Sequence, residues 1–372
     1  MSILKLEPKY GYYSIHYGNE QIITVSSKLE AIEAAQRTNG WIQYHFNDDV
    51  YSCYDWREPI VESISDLYAQ RARDIRQQYE RVVCCYSGGF DSHNMLQSFL
   101  SNKIPVDAVL CFYNSLAEGT EDTIGEEWLL QTKPRLEPIL AQHPEIDFFR
   151  IDISYKSLEL VDKYRDDYLH VSNGILSPNS ISISHLIEFL PAKYQDCNTV
   201  LLFGVDKPRL RFKDGKFILN FLDVGLRARP VIAESRIEYF YWNRTVPKLL
   251  IKQAQLARDY WRSRIEADPS LVKSRWNPNL GCVFDHDDVG LNRAIYPHCQ
   301  IGMFLTWRPN PFNKWGKILG ERDKWLYQSN LPQAALLKDI YQGLTDNVSK
   351  QWFNNNDHRQ GYVGNISQDY IL

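Results

Sequence analysis

The sequence has no long apolar run and no strong excess of either charge. No stretch approaches the roughly 18 consecutive apolar residues that a membrane-spanning helix requires, and the first residues, MSILKLEPKYGYY, lack the apolar core of a secretory signal. Basic and acidic side chains number 42 and 46, a net charge of −4, so the overall field does not favour binding to a polyanion. Nucleic acid is therefore an open but unsupported partner, and a membrane is not expected.

Cysteine is sparse and irregularly spaced. The chain has seven cysteines, an odd number without the spacing of a disulfide framework. This usage is typical of reduced thiols, so we expect a cytoplasmic protein. Low-complexity tracts are also missing, and 372 residues with an apolar fraction of 44% suffice for about two packed domains.

Two common phosphate-binding motifs do not occur. The pattern G-x-x-x-x-G-K-[ST] is absent, which disfavours a Walker-type nucleotidase. No G-x-G-x-x-G follows an apolar strand, as a dinucleotide-binding fold would require. A phosphate site in this chain must therefore use another loop.

Such a loop lies between residues 81 and 100. The apolar run Val82 to Tyr86 has strand character, and it leads into the segment SGGFDS at positions 87–92. A helical pattern follows, with one apolar face formed by Met95, Leu96, Phe99 and Leu100. The stretch therefore predicts a strand, a short loop and a helix.

The residue types in this loop suit an anion and a divalent cation. Gly88 and Gly89 allow a sharp turn and close approach of a ligand, and the start of the next helix directs N–H groups at the turn. Ser87 and Ser92 add hydroxyl donors. Asp91 would repel bare phosphate, which makes sense if magnesium stands between them. The loop therefore predicts a magnesium-nucleotide site; the alternative is an ordinary Gly-Gly turn.

The loop resembles the PP-loop, S-G-G-x-D-S, of the ATP pyrophosphatase superfamily. Members of this superfamily bind ATP, adenylate a substrate oxygen and release pyrophosphate; they include asparagine synthetases, β-lactam synthetases, GMP and NAD synthetases and tRNA-thiolating enzymes. The resemblance is to the asparagine synthetase-like, adenine nucleotide alpha hydrolase-like branch. It implies ATP and Mg²⁺ as ligands, bound by Ser87, Gly88, Gly89, Phe90, Asp91 and Ser92.

The rest of the chain predicts strands alternating with helices. Apolar runs at Val106 to Tyr113, Phe148 to Ile153 and Thr199 to Val205 are typical of buried parallel strands, and helical patterns lie between them at Glu126 to Ala141 and around Ile181 to Leu190. We therefore predict an α/β fold with a doubly wound parallel sheet. The resemblance implies the same PP-loop, HUP-like fold.

Three regions are expected. Residues 1–56 form a small β-rich cap with a strand, strand, helix, strand pattern; residues 57–232 form the ATP-binding α/β domain; residues 233–372 form a mainly helical substrate region. The glutaminase domain of asparagine synthetases is not expected, because the second residue is Ser2 and the first cysteine is Cys53. A long helix is predicted from Glu58 to Glu80, with its arginines on a solvated face.

Two further strand ends are expected at the nucleotide. The second strand should lie beside the first, so that Cys111, Phe112 and Tyr113 line an adenine pocket with backbone groups. By the resemblance, the loop after the fourth strand approaches the phosphates or the substrate. There Asp206 would share magnesium with Asp91, and Lys207 or Arg209 would neutralise the α-phosphate beside Gly204; the alternative is a solvated surface turn.

Weaker signals lie in the C-terminal half. Asp214-Gly215 predicts the turn of a β-hairpin within Phe212 to Phe221. Glu238 is a candidate substrate contact, and Lys314 and Lys317 are candidates for a functional lysine by position only. A zinc site is also weakly indicated, without the C-x-x-C spacing of dependable sites, by Cys282, Asp285, His286, His298 and Cys299.

The favoured function is an ATP-dependent ligase. A carboxylate or amide oxygen of a small acyl substrate would attack the α-phosphate of ATP, pyrophosphate would leave, and a nitrogen nucleophile would displace AMP. The alternatives are sulfur transfer to a tRNA or other base, reduction of an adenylyl sulfate, and nucleotide binding without catalysis. Sulfur transfer needs a thiolate or paired cysteines near the site and a basic surface, whereas Cys84 and Cys85 lie inside the first strand, where at least one must be buried. Substrate, nitrogen donor and oligomeric state are not readable.

Overall fold

A computed structural model describes residues 11–116, 127–168, 182–183, 185–205, 207–221, 223, 236–277, 281–284, 288–299, 329–347 and 367–372. These residues form an α/β protein with a five-stranded, all-parallel sheet and two antiparallel sheets. Among them, no helix has both the length and the apolar character needed to cross a membrane.

The strands are β1 (Tyr12–Tyr17), β2 (Gln21–Val25), β3 (Trp41–His45), β4 (Arg81–Cys85), β5 (Ala108–Tyr113), β6 (Asp147–Asp152), β7 (Thr199–Phe203), β8 (Leu210–Lys213), β9 (Lys216–Leu219), β10 (Ile237–Tyr239), β11 (Trp276–Asn277), β12 (Gly281–Val283) and β13 (Tyr370–Ile371). The α-helices are α1 (Lys28–Thr38), α2 (Asp48–Tyr51), α3 (Ile64–Gln78), α4 (Phe90–Leu100), α5 (Lys133–Gln142), α6 (Ser154–Lys163), α7 (Pro247–Ala267), α8 (Ser270–Ser274), α9 (Val289–Ile295) and α10 (Pro332–Asn347). A π-helical turn, Glu127–Thr132, leads directly into α5.

The parallel sheet has the strand order β10-β7-β4-β5-β6. The chain proceeds from the central strand β4 outward through β5 and β6, then returns to the other side of β4 with β7 and β10. Strand order therefore reverses between β4 and β7. In parallel α/β sheets, ligands bind in the crevice outside the carboxyl ends of the strands at such a reversal.

The composition of the central strands explains their position. β4 (RVVCC) and β7 (TVLLF) are almost entirely buried, which requires the continuous apolar runs that the sequence shows. The runs that predict β5, β6 and β7 as parallel strands are confirmed, with ends that differ by one or two residues, but β6 lies at the edge of the sheet and is only partly buried. The short strand β10 was not predicted; it lies in an aromatic stretch that the sequence assigns to the C-terminal region.

The N-terminal segment forms the sheet β2-β1-β3, with α1 packed on one face. Ser27 caps α1 by accepting a bond from the Glu30 N–H, as expected for a serine just before a helix. Tyr13 and Ile15 point to the buried face of β1, while Tyr12 and His16 lie on the opposite face. The predicted order of strand, strand, helix, strand is confirmed.

The third sheet contains the predicted hairpin. Strands β8 and β9 pair antiparallel, and Asp214 and Gly215 between them have φ values of 51° and 76°. Positive φ at both positions is what a two-residue hairpin turn of type I′ requires, so this prediction is confirmed. β12 and β11 extend the sheet on one side, and β13 pairs with β9 on the other.

Helix α3 is shorter than predicted, and one of its arginines is buried. Arg71 is 1% exposed, where the sequence placed a solvated face. Its guanidinium donates to the carbonyl oxygens of Phe240 (3.3 Å) and Tyr239 (3.0 Å), to the Thr245 hydroxyl (2.9 Å) and to the Glu238 carboxylate (3.4 Å). The fork of donors thereby ties α3 to the end of β10. That partner set offsets the cost of burying the charge.

We expect Arg71→Ala to destabilise the fold by about 3 kcal/mol or more, because four acceptors lose this donor and a buried ion pair is broken. Arg73→Ala is the matched control, since Arg73 is exposed on the same helix; its effect should stay within about 0.5 kcal/mol. Urea unfolding of both variants measures the difference. Equal effects would contradict a structural role for Arg71.

Candidate functional site

The loop between β4 and α4 is a tight turn that only glycine can make. Gly88 has φ +74°, and a Cβ built there would lie 2.7 Å from the Cα of Thr132, a backbone atom of the π-helical turn. Gly89 is the N-cap of α4, and no side chain caps the helix. The first turn of α4 therefore opens toward the loop with its N–H groups and positive dipole end, an arrangement that suits an anion.

The two predicted serines lie on the loop and bond to it. Ser92 Oγ accepts from the Ser87 N–H at 3.2 Å and lies 3.2 Å from Ser87 Oγ. Ser87 Oγ in turn accepts from the Gly89 N–H at 3.4 Å. Both hydroxyls thus fix the shape of the turn and remain close to any group bound in it.

Two residues that the sequence analysis did not single out donate hydrogen bonds to backbone carbonyl oxygens of the loop. The Thr132 hydroxyl donates to the Ser87 carbonyl at 2.7 Å, and Arg135 Nη1 donates to the Gly88 carbonyl at 2.6 Å. Arg135 is buried, and burial lowers the pKa of its guanidinium. It still places a cation beside the turn. No motif marks these residues.

Asp91 is the point on which several distant segments converge. Its carboxylate lies 3.3 Å from Lys207 Nζ and accepts a bond from the Tyr296 hydroxyl. Its backbone carbonyl accepts from the Tyr241 hydroxyl at 2.7 Å. The Lys207 side chain is 5% exposed, whereas that of Asp91 is 27% exposed. A buried cation and a more open carboxylate therefore stand together at the loop.

The loop after β7 reaches the same place. A Cβ at Gly204 would lie 2.8 Å from the Asp91 carbonyl oxygen, so the end of β7 and the first turn of α4 meet at backbone distance. The structure thus brings together Gly204, Lys207 and Asp91. Arg209 lies in the wall of a small depression with Phe221 and other apolar residues, and Asp206 lies outside the described residues.

The predicted adenine edge is adjacent to the loop strand. β5 pairs directly with β4, and the Tyr86 N–H donates to the Leu110 carbonyl at 2.8 Å. Cys111 is buried, and Phe112 and Tyr113 are half-buried. The guanidinium of Arg150 covers the Tyr113 ring at 4.1 Å from its centroid. Cys111, Phe112 and Tyr113 therefore lie at the carboxyl end of β5, beside the strand that leads into the loop.

Of the five side chains that indicate a zinc site, the structure describes Cys282, His298 and Cys299. Cys282 Sγ contacts the Leu271 carbonyl, while Cys299 Sγ donates to the Phe90 carbonyl at 3.6 Å, beside the loop. Asp285, His286, Lys314 and Lys317 lie outside the described residues. Within the described ranges, no group of three or more His, Cys, Asp or Glu side chains is arranged to hold a metal.

Glu238 has a structural role in the described contacts. One carboxylate oxygen accepts from Arg71, and the other accepts from the Tyr79 hydroxyl at 3.0 Å. Arg71 lies in α3, and Tyr79 is the residue at which that helix ends. The prediction of a substrate contact gains no support from this position.

The donor set at the loop can be compared with what magnesium needs. In nucleotide sites Mg²⁺ is usually bound through one or two carboxylates, with phosphate oxygens and water completing its octahedron. Asp91 is the described carboxylate at the loop, and it is partly exposed. The residues present fit a magnesium ion held mainly by a nucleotide and do not form an all-protein cage.

Gly88→Ala should destabilise the protein far more than Gly215→Ala. Both glycines have positive φ, so both variants carry about 1–2 kcal/mol of backbone strain. Only Gly88 would also meet backbone atoms within 3.0 Å, because nothing lies within 4 Å of the Gly215 position. Thermal unfolding should separate the two; equal shifts would show that the contact with Thr132 is not constraining.

His93 predicts a pH dependence of stability. Burial lowers its pKa from 6.5 to about 4, and its Nδ1 lies 2.9 Å from the Tyr86 hydroxyl. Between these pH values the unfolded chain binds the extra proton, so the contribution of His93 to stability falls as the pH drops from 6.5 toward 4, by up to about 3 kcal/mol. Urea unfolding of wild type and His93→Gln across this range should show the difference shrinking at low pH; a constant difference would contradict a neutral buried imidazole.

Comparison of the chain with models of protein families gives no match, and comparison with curated proteins gives none either. The chemistry of the site is therefore defined by the groups around the loop: an uncapped helix start, two hydroxyls, a buried ammonium and a partly exposed carboxylate.

Proposed function

We propose that this protein is an ATP-dependent adenylating ligase of the PP-loop type. The observation that carries the proposal is the start of α4, which opens without a side-chain cap at Gly89, next to the left-handed Gly88 and the pair Lys207–Asp91. A glycine turn, a helix N-terminus and a lysine are the groups that bind nucleotide phosphates. In this proposal the segment 87–92 holds the β- and γ-phosphates of ATP.

The strand order supports the same proposal. A doubly wound sheet has its ligand site at the reversal of strand order, and here β4, which carries the loop, lies at that reversal beside β7. The end of β7 carries Gly204, which touches the first turn of α4. We therefore propose the doubly wound PP-loop fold as the finer description of this α/β sheet.

The chain's own residues have distinct roles in the proposed reaction. Lys207 would neutralise charge that develops on pyrophosphate as a substrate oxygen forms its bond to the α-phosphorus and the bond to the β-phosphate oxygen breaks. Tyr296 would hold the Asp91 carboxylate in position. Magnesium bound to Asp91 and the phosphates would supply further neutralisation of the leaving group. A nitrogen nucleophile would then displace AMP from the acyl adenylate.

The cysteines favour this reaction over sulfur transfer. A sulfur-transfer enzyme needs an accessible thiolate near the nucleotide. Cys84 and Cys85 lie inside β4, and burial raises the pKa of both thiols well above the usual range. Adenylyl-sulfate reduction and nucleotide binding without catalysis stay as alternatives, and the product assay distinguishes the second of them.

The products of ATP turnover test the proposal directly. Purified protein with ATP, Mg²⁺, a panel of small carboxylic acids and ammonium as the nitrogen nucleophile should release AMP and pyrophosphate in equal amounts, measured by anion-exchange chromatography. ADP and phosphate would contradict the adenylating chemistry. Binding of ATP with no product under any condition would favour the non-catalytic alternative.

Asp91→Asn should lower the rate of pyrophosphate release by about 100-fold or more, because it removes the negative charge of the carboxylate that is proposed to bind magnesium. Asp166→Asn makes the same charge change at an exposed position and should retain the wild-type rate. Because Lys207 is buried against Asp91, the unfolding midpoint of each variant is measured alongside, and rates are compared only for folded protein. Full activity of folded Asp91→Asn would contradict the metal role.

A further inference from the structure

A second group of reactive side chains lies on the outer face of the N-terminal sheet, where His16 and His45 are half-buried and Ser14, in contact with both imidazoles, is 5% exposed. Ser14 Oγ lies 2.8 Å from His45 Nε2, and His45 Nδ1 lies 2.7 Å from Asp48 Oδ2. Ser14 is on β1, His45 is on the neighbouring strand β3, and Asp48 begins α2. A hydroxyl, an imidazole and a carboxylate in this order and at these distances are the parts of a nucleophile, a base and its orienting group.

The carboxylate is fixed from its other side. Asp48 Oδ1 accepts from the Phe46 N–H at 3.3 Å and from the Tyr370 hydroxyl at 3.1 Å. An ionised carboxylate only accepts hydrogen bonds, so neutral His45 must donate its Nδ1 proton to Asp48. Its Nε2 is then an acceptor facing Ser14. This is the tautomer that a general base for the serine requires.

A second imidazole completes the cluster. His16 Nε2 lies 2.8 Å from Ser14 Oγ. Because the Ser14 proton is directed at His45, His16 must act as the donor to the serine oxygen. Each ring is held by an aromatic neighbour: Tyr12 stacks on His45 at 4.6 Å and Trp41 stacks on His16 at 4.2 Å. Both imidazoles therefore have restricted orientations.

The surroundings offer an apolar surface. The strand register places Ile22 and Trp41 on either side of His16, and these side chains are 57% and 50% exposed. They lie in the row next to Ser14 on the same face of the sheet. A substrate with an apolar acyl group would cover them while its carbonyl carbon approaches the serine.

We propose that Ser14 is an activated nucleophile and that this face is a second catalytic site, which cleaves esters by acyl transfer. Ser14 Oγ forms a bond to the carbonyl carbon while its proton passes to His45 Nε2. The bond from that carbon to the alkoxy oxygen breaks, and the leaving alcohol takes the proton from His45. Water then releases the acid by the same steps.

The test uses the full chain without ATP or magnesium. A serine-reactive fluorophosphonate is added, and the modified residue is located by peptide mass spectrometry; hydrolysis of p-nitrophenyl butyrate is followed in parallel. The proposal expects a single adduct on Ser14 and ester hydrolysis that the adduct abolishes. An adduct elsewhere, or no adduct on folded protein, would overturn it. Because the mapping uses the wild-type chain, a variant that fails to fold does not affect this result.

Variants then assign the roles. Ser14→Ala should lose the adduct, and His45→Gln should slow its formation by about 100-fold, the usual size of a general-base effect. Thr24→Ala is the matched control, since Thr24 is exposed and sits opposite Ser14 on β2; it should react at the wild-type rate. If folded His45→Gln formed the adduct at the wild-type rate, the hydrogen bond from Ser14 to His45 would not activate the serine as a nucleophile.

Discussion

The start of α4 is held in place by contact between backbones, and most of the candidate site depends on this constraint. Gly88 lies against the backbone of Thr132, and Gly204 lies against the backbone of Asp91, each at a distance that leaves no room for a Cβ. Because backbone atoms cannot rotate away as side chains can, the π-helical turn, the end of β7 and α4 have one relative position. The groups around Asp91 are placed by that position.

Hydrogen bonds from buried tyrosine hydroxyls also hold the segments around the site in place. The hydroxyls of Tyr241 and Tyr296 bond to Asp91, and those of Tyr68 and Tyr51 donate to the carbonyls of Ile295 and Asn243. Burial raises the pKa of all four phenols. They therefore stay protonated at neutral pH and act as donors. This explains part of the high tyrosine content, because each such side chain fills the core and satisfies an acceptor.

The sequence predicts those features that depend on neighbouring residues. The apolar runs predict the central strands because a strand buried on both faces must be apolar throughout, and Asp214-Gly215 predicts its hairpin because both residues tolerate positive φ. Tyr241 and Tyr296 escaped prediction because they lie 150 and 205 positions from Asp91. Arg71 was misassigned for the same reason: its acceptors lie 167 to 174 positions away, so the local pattern shows only a charged residue on a helix. Ser14, His45 and Asp48 are ordinary residues of two strands and a helix start until the register of the sheet brings them together.

The bond from Tyr370 to Asp48 joins residues 322 positions apart. A ribosome adding about 5–20 residues per second needs roughly 15–60 s to cover that distance. During that interval Asp48 lacks the phenol that holds it, and from residue 219 onward β9 also lacks its partner β13. The nascent chain therefore carries an unpaired strand edge from the synthesis of β9 until that of β13, and during this period a chaperone would have an exposed edge to protect.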